Sequence, residues 1–160
     1  MKLVFLILVL AVSTQAVSDI LRNETGRHWF TLQGKEYFIE ENVKANFWTA
    51  VQYCYHNNMQ LVSLGTQEEN DALYNQVDQF LAGQAEFWSS GSRIANDDDW
   101  IWLTTGWPIK VFNWGDGEPN NKGKKERCIS LYYRHYQNGW WNDENCDNEL
   151  GVICETKCQD

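Results

Sequence analysis

The chain has 160 residues, 13 Lys and Arg against 22 Asp and Glu, a net charge of −9, and 43% apolar residues. That length predicts a single domain with one hydrophobic core. The acidic balance excludes a nucleic-acid-binding protein, because neutralising phosphates requires clusters of Lys and Arg. It also disfavours binding to anionic lipid, and the apolar content excludes a disordered chain.

The N-terminus has the pattern of a secretory signal peptide. Lys2 precedes an apolar run from Leu3 to Val12, and small residues follow up to Ala16. Such a run is too short to span a bilayer as a helix, which needs about twenty residues. We therefore predict that residues 1–16 are a signal peptide and that the protein is secreted.

The remaining chain divides into three parts. Residues 17–27 are expected to be a polar N-terminal lead that carries the glycosylation sequon at Asn23. Residues 28–156 are expected to form the domain, and residues 157–160 a C-terminal tail. No other segment is long and apolar enough to span a membrane.

The first half of the domain predicts a hairpin and two helices. Bulky and polar residues alternate from His28 to Glu40, which indicates a β-hairpin. A helix is predicted from an Asn46 cap, followed by a short strand over Met59–Leu64. The capping-box sequence Thr66–Glu69 then opens a second helix that is expected to continue through Phe80.

The second half predicts strands around a long irregular segment. Residues 104–127 have no helical or alternating pattern, and Asn138-Gly139 is a turn signal. The predicted strands lie around Trp88, at Trp100–Trp102, at Cys128–Tyr133 and at Gly151–Cys154. The fold class is therefore α+β. An irregular segment of this length is unusual in a compact domain unless something orders it.

All five cysteines follow the predicted signal peptide, in a compartment where disulfides persist. Two bridges and one remaining thiol can be drawn in fifteen ways, so the spacing alone does not select a pairing. A zinc site is the weaker interpretation, because there is no CxxC pair and the three histidines are scattered.

Oxygen-bearing side chains concentrate in the irregular segment and after the next strand. Glu118-Pro119-Asn120 is followed by Glu126 and later by Asn142-Asp143. Three carboxylates and two amides suit a hard cation, and Ca²⁺ accepts six to eight oxygens. Five side-chain oxygens and one carbonyl leave about two positions for ligand hydroxyls.

The chain resembles a C-type lectin domain from about His28 to Glu155. The resemblance depends on Glu118-Pro119-Asn120, on Glu126-x-Cys128, on Trp141-Asn142-Asp143 and on the cysteine frame. It implies two helices with small antiparallel sheets and a long calcium-binding loop region, stapled by disulfides Cys54–Cys154 and Cys128–Cys146. It also implies a cis bond before Pro119.

The resemblance further implies the cofactor and the ligand. One set of side chains would bind Ca²⁺ and also contact a mannose-type sugar: Glu118, Asn120, Glu126, Asn142 and Asp143. Carboxylates accept hydroxyl protons and amides donate N–H groups, so two adjacent equatorial hydroxyls would satisfy the arrangement. Small secreted lectins of this kind resemble invertebrate proteins that recognise microbial glycans in innate immunity.

Three other functions agree less well with the sequence. A galactose-selective lectin is disfavoured because the galactose-type members have a sequence resembling Gln-Pro-Asp where this chain has Glu118-Pro119-Asn120. A sugar-independent protein-binding module of the same fold is disfavoured because the five oxygen ligands are complete. An enzyme that uses Glu118 and Asp143 as an acid/base pair is disfavoured because calcium ligands must stay ionised, and no catalytic signature is present.

A second calcium ion is not expected. Arg93 stands where the two-site members have an acid, and a cation there should repel another ion. Asp97, Asp98 and Asp99 are more typical of a solvated acidic turn than of a site. Cys158 has no family partner and could link two chains into a homodimer, which would raise avidity.

Overall fold

The computed structural model describes residues 26–81, 83–95, 98–134 and 137–157, without the side chains of residues 137 and 138. Its helices are α1 (Phe47–His56) and α2 (Gln67–Val77), and a short 3₁₀ turn covers Lys122–Lys124. The strands are β1 (Arg27–Leu32), β2 (Lys35–Ala45), β3 (Met59–Leu61), β4 (Gln84–Ser92), β5 (Ile101–Trp102), β6 (Glu126–Arg134), β7 (Gln137–Asn145) and β8 (Leu150–Thr156). The α+β prediction is confirmed.

The two helices begin where the sequence predicts. The Asn46 side chain accepts a hydrogen bond from the Thr49 N–H at 2.9 Å, and Thr66 accepts one from the Glu69 N–H at 3.1 Å. Each cap satisfies an amide at the helix start that has no partner within the helix. The predicted continuation of α2 to Phe80 is wrong, because the chain tightens after Val77 and the Phe80 N–H bonds to the Val77 carbonyl.

The described strands connect into one sheet in the order β1-β2-β8-β4-β6-β7, with β3 against β8 and β5 against β4. Neighbouring strands are antiparallel except β4 and β8, which run parallel through the pairs Phe87–Gly151 and Trp88–Val152. The small antiparallel sheets that the resemblance implies are thus parts of a single sheet.

Hydrophobic side chains alternate between the two faces of this sheet. On β2, Tyr37 and Ile39 belong to the core cluster that contains α2, whereas Phe38 belongs to the cluster that contains α1. On β8, Ile153 joins the first cluster and Cys154 the second. Both helices therefore bury their apolar sides against the same strands from opposite directions.

The turn predicted at Asn138-Gly139 is wrong, because both residues lie within β7. The glycine has a packing role instead. A Cβ atom on Gly139 would come within 2.2 Å of Cδ2 of Tyr74 on α2. Glycine inside a strand commonly marks such a close approach.

The structure contains disulfides Cys54–Cys154 and Cys128–Cys146. The first joins α1 to β8, and the second joins the start of β6 to the chain after β7. None of the helices in the described ranges has the length and hydropathy needed to cross a membrane. The predicted signal peptide, Asn23, Asp97 and Cys158 lie outside the described residues.

Candidate functional site

Backbone pairing attaches the irregular segment to β7. The Trp141 N–H donates to the Asn113 carbonyl at 2.7 Å, and the Gly115 N–H donates to the Trp141 carbonyl at 2.9 Å. This pairing ends one residue before Asn142. It brings the following turn, whose Glu118–Pro119 peptide bond is cis, alongside the strand that carries Asn142 and Asp143.

The buried Asp143 carboxylate accepts hydrogen bonds from the backbone of this turn. Its side chain is 0% exposed, and Oδ1 accepts the Asn120 N–H at 2.8 Å while Oδ2 accepts the Asn121 N–H at 2.9 Å. The Asn120 N–H also reaches Glu118 Oε2 at 3.1 Å. A carboxylate that accepts two backbone amides is a strong anchor, because hydrogen bonds to a charged group are stronger than neutral ones.

After the 3₁₀ turn, the chain lies again beside the turn that contains the cis Glu118–Pro119 bond. Glu126 Oε2 accepts the Lys122 N–H at 2.6 Å, and the Glu126 N–H donates to the Asn121 side chain at 3.2 Å. Asn121 itself has a left-handed backbone with a φ of 45°, a conformation that asparagine tolerates better than most residues. The first residue of β6 is thereby placed opposite the turn that holds Glu118.

These segments enclose an open cavity of about 510 Å³. Four of the five residues expected to bind calcium line it: Glu118, Asn120, Glu126 and Asn142. The fifth, Asp143, lies beneath the lining. Sequence reasoning missed Glu144, which also lines the cavity and lies 3.4 Å from the Asn142 amide nitrogen. Its position directly after Trp141-Asn142-Asp143 was the available signal.

Two amide side chains of this cavity are paired with carboxylates. The Asn120 side-chain amide donates to Glu118 Oε1 at 2.8 Å, and the Asn142 amide donates to Glu144. Such pairs offer a polyhydroxylated ligand acceptors and donors at adjacent positions.

Burial and neighbouring carboxylates raise the pKa of two of these groups. The pKa of Glu118 lies above its ordinary value because of burial and because of the nearby Asp143. The pKa of Glu126 is raised by burial and then by Asp143, Glu144 and Glu118. Several carboxylates therefore disfavour one another's charge, and a bound cation would relieve this repulsion.

The oxygen atoms that line this cavity are of the types that bind Ca²⁺. Carboxylate and amide oxygens with no thiolate or imidazole suit a hard cation. Within the described ranges, no three side chains of His, Cys, Asp or Glu stand close enough together to hold a metal by themselves. Coordination would therefore need the amide oxygens of Asn120 and Asn142 as well as the acids.

Arg93 reaches this region from the end of β4. Its Nη2 atom donates to the Glu126 carbonyl at 2.9 Å and lies 3.4 Å from Asp143 Oδ2. The guanidinium also covers the Trp100 ring at 4.8 Å from the ring centroid. This ion pair places a positive charge beside Asp143, and the exclusion of a second ion by Arg93 stays a prediction.

Of the nine tryptophans, three are buried in the core, and three more pack against it partly buried: Trp29, Trp100 and Trp114. Trp88, Trp102 and Trp141 are buried, and Trp140 points away from Trp141 and stacks on Tyr132. Trp48 and Trp107 depart from this pattern, because they expose 45% and 72% of their surface.

The chain belongs to the C-type lectin family: the family model of the Lectin C-type domain matches residues 43–156. It is accordingly a lectin-like carbohydrate-binding domain and not an enzyme. The family resemblance seen in the sequence and the fold that it implies are both confirmed.

Similar proteins come from insects and vertebrates. The chain is 32% identical to salivary C-type lectin 2 of Aedes albopictus over 116 residues, which cover 69% of this chain and 77% of that protein. Among solved structures, the carbohydrate-recognition domain of the human scavenger receptor C-type lectin matches with a TM-score of 0.69 and 27% identity, covering 82% of this chain and 97% of that one. The cow CD23 domain, determined in the presence of a GlcNAc2Man3 oligosaccharide, has a TM-score of 0.68 and 27% identity, and the match covers 82% of this chain and 95% of that one.

Proposed function

We propose that this protein is a secreted, calcium-dependent lectin that selects mannose-type sugars, which present two adjacent equatorial hydroxyl groups. The observation that carries the proposal is the cavity at the end of β7, where Glu118, Asn120, Glu126 and Asn142 face one open volume. These four, with Asp143 beneath them, would hold the ion, which when bound supplies coordination positions for sugar hydroxyls.

The side chains of the cavity have separate tasks toward the sugar. Glu118 and Glu126 accept hydroxyl protons, while Asn120 and Asn142 donate N–H groups to hydroxyl lone pairs. Asp143 keeps Asn120 in place through its backbone amide, at 2.8 Å. Because the anchor is buried and its partners are backbone atoms, the donors and acceptors are positioned before the ligand arrives, which reduces the cost of ordering them.

The order of the turn residues supports mannose over galactose. The carboxylate of Glu118 precedes the amide of Asn120, and exchanging them would reverse donor and acceptor around the hydroxyl pair. The oligosaccharide present with the cow CD23 domain supports glycan binding at this fold. The salivary lectins among the relatives, together with the apolar N-terminal run, support secretion.

Microbial glycans as the target, glycosylation of Asn23 and a Cys158-linked dimer remain predictions. The dimer is tested by electrophoresis with and without a reductant. A band of doubled mass that a Cys158→Ser variant loses would support it, and a monomer band without reductant would refute it.

Affinity chromatography tests the proposed function. Purified protein is applied to immobilised mannose and to immobilised galactose, in calcium and in chelator. We expect retention on mannose in calcium, elution by chelator, and little retention on galactose. Retention that persists in chelator would refute calcium dependence, and binding to neither resin would favour the sugar-independent module.

A double substitution localises the activity. Glu118→Gln with Asn120→Asp exchanges acceptor and donor without changing the net charge, so mannose affinity should fall at least about tenfold. Glu68→Gln with Asn75→Asp makes the same exchange on the exposed side of α2 and serves as the matched control. Equal mannose binding by both double variants would show that the turn is not the site.

A further inference from the structure

A row of polar side chains crosses three neighbouring strands next to the candidate site. Trp88 on β4 pairs with Ser130 on β6, and Ser130 pairs with Asn142 on β7. Residues two positions apart in a strand share a face, so Glu86 lies on the same face as Trp88. Of the row Glu86, Ser130 and Asn142, the last lines the cavity. The row therefore connects the candidate site to a carboxylate two strands away.

The Ser130 hydroxyl is buried in the middle of this row. Ser130 is 0% exposed, and its Oγ atom donates to Glu86 Oε1 at 2.5 Å while it lies 3.4 Å from the Asn142 carbonyl oxygen. A hydroxyl group has one proton to donate, so the shorter contact identifies Glu86 as the acceptor. A carboxylate accepts several hydrogen bonds, and this one leaves room for a second donor.

The second donor to Glu86 is the side chain of Asn142. Burial raises the pKa of Glu86, the hydrogen bond from Ser130 lowers it, the Glu144 carboxylate raises it, and a hydrogen bond from the Asn142 side chain lowers it. Asn142 Nδ2 also lies 3.4 Å from Glu144 Oε2. The Asn142 amide group therefore has two carboxylates as neighbours, one from β4 and one from its own strand.

These two carboxylates determine how the Asn142 amide is oriented. An ionised carboxylate only accepts hydrogen bonds, so the NH₂ group must face Glu86 and Glu144, and Oδ1 must take the other side of the amide. Asn142 lines the cavity, and its amide oxygen is a ligand type that a hard cation accepts.

We infer that Glu86 is a positioning residue for the calcium site, an inference that rests on the proposed function. Glu86 is fixed by Ser130 and holds the NH₂ group of Asn142, so that Oδ1 is turned toward the ion. Groups that orient metal ligands in this way commonly raise metal affinity about 10–100-fold. The amide hydrogen that faces Glu144 across 3.4 Å is held loosely, so it is the one that a sugar hydroxyl can take over.

Calcium titration by calorimetry measures the effect of Glu86 on the ion. Glu86→Met nearly preserves the length of the side chain but removes both acceptor oxygens, so we expect calcium affinity to fall about tenfold. Glu86→Gln keeps one acceptor oxygen and should lose only about threefold. Ser130→Ala removes the hydroxyl that fixes the carboxylate and should also lose about threefold, without a change of charge.

The side-chain amide of Asn142 gives a second readout that does not depend on calcium. In chelator, nuclear magnetic resonance detects its two amide protons, which are assigned by their disappearance in Asn142→Asp. Glu86→Met should shift the proton that faces Glu86 upfield, because its hydrogen bond to a carboxylate is lost. The side-chain amide of Asn113, which donates to the Gly139 carbonyl at 2.8 Å, should keep its position. A variant that is only less stable would leave both amides unshifted.

Glu41→Met is the matched control variant. Glu41 is also a half-buried carboxylate, and it lies on β2, where its Oε1 atom is 2.7 Å from Nε2 of His28. Its removal should change neither the calcium affinity nor the Asn142 signals.

The outcomes separate this inference from the proposed function. Unchanged Asn142 signals in Glu86→Met, with an intact fold by near-ultraviolet circular dichroism, would overturn the contact. Wild-type calcium affinity in both Glu86→Met and Ser130→Ala would overturn the positioning role, and so would a Glu86→Gln variant as weak as Glu86→Met. If the wild type binds no calcium, the proposed function fails, whereas the signals in chelator still decide whether Glu86 orients Asn142.

Discussion

The buried carboxylate of Asp143 provides a sharp test of how the candidate site is assembled. Its two oxygens accept the backbone N–H groups of Asn120 and Asn121, at 2.8 and 2.9 Å, and the side chain is 0% exposed. We expect Asp143→Asn to destabilise the protein even when no metal is bound, because this carboxylate is a structural anchor as well as an expected ligand.

The magnitude follows from the hydrogen bonds. An amide keeps one acceptor oxygen, so one backbone N–H retains a partner while the other faces an NH₂ group. Losing a hydrogen bond to a charged group costs about 1.5–3 kcal/mol. Removing the negative charge also relieves repulsion with Glu118 and Glu126, which offsets part of this loss. The net decrease in the free energy of unfolding should be about 2 kcal/mol.

Urea unfolding in chelator, followed by tryptophan fluorescence, measures this difference. A loss of about 2 kcal/mol corresponds to a midpoint shift of about 1 M urea. Glu118→Gln is the matched control, because its hydrogen bonds are exposed and its loss in chelator should stay below about 0.5 kcal/mol. Calorimetry should show weakened calcium binding in both variants. Equal stability of Asp143→Asn and the wild type in chelator would refute the anchoring role.

Three further predictions concern calcium stoichiometry, pH and packing. Calorimetry should find one tight calcium ion per chain, because Arg93 stands where the two-site members have an acid and its positive charge should repel a second ion; two tight ions would contradict this. Burial raises the pKa of Glu155, so the folded state favours the protonated side chain. Protonated Glu155 therefore stabilises the fold fully below about pH 4.5, and this stabilisation is lost as the pH rises through the raised pKa. The stability of the wild type relative to Glu155→Gln should therefore decrease from pH 4.5 to 7 in urea unfolding, and a constant difference would be inconsistent with a raised pKa. Gly91→Ala would place a Cβ atom 2.6 Å from Ile129 Cδ1 and should cost about 1–3 kcal/mol, whereas Gly83→Ala meets nothing within 4 Å and should be nearly neutral in thermal unfolding.

Local patterns were sufficient for the elements that depend on nearby residues. The Asn46 and Thr66 caps, the alternation from His28 to Glu40 and the strand after Cys128 were all predicted where they occur. Each of these signals concerns residues within a few positions of one another, where the chain's own stereochemistry dominates. The five oxygen-bearing residues form a specific joint pattern of types and order, and their role as calcium ligands stays a prediction.

Tertiary packing decided the features that depend on distant segments. Gly139 resembles a turn signal in the sequence, yet it lies inside β7, where Tyr74, far away in the chain, leaves no room for a side chain. Residues 113–115 pair with Trp141. Because of this pairing, Asp143 is buried beneath the turn and Glu144 lines the cavity. The exposure of the Trp107 indole is likewise visible only after folding, because its neighbours Gly106 and Pro108 indicate a loop but do not show whether the side chain is buried. Residue types and local spacing thus determined which functional groups the chain carries. Long-range pairing determined which of those groups lie together, because neighbours in space are set by packing and not by separation along the chain.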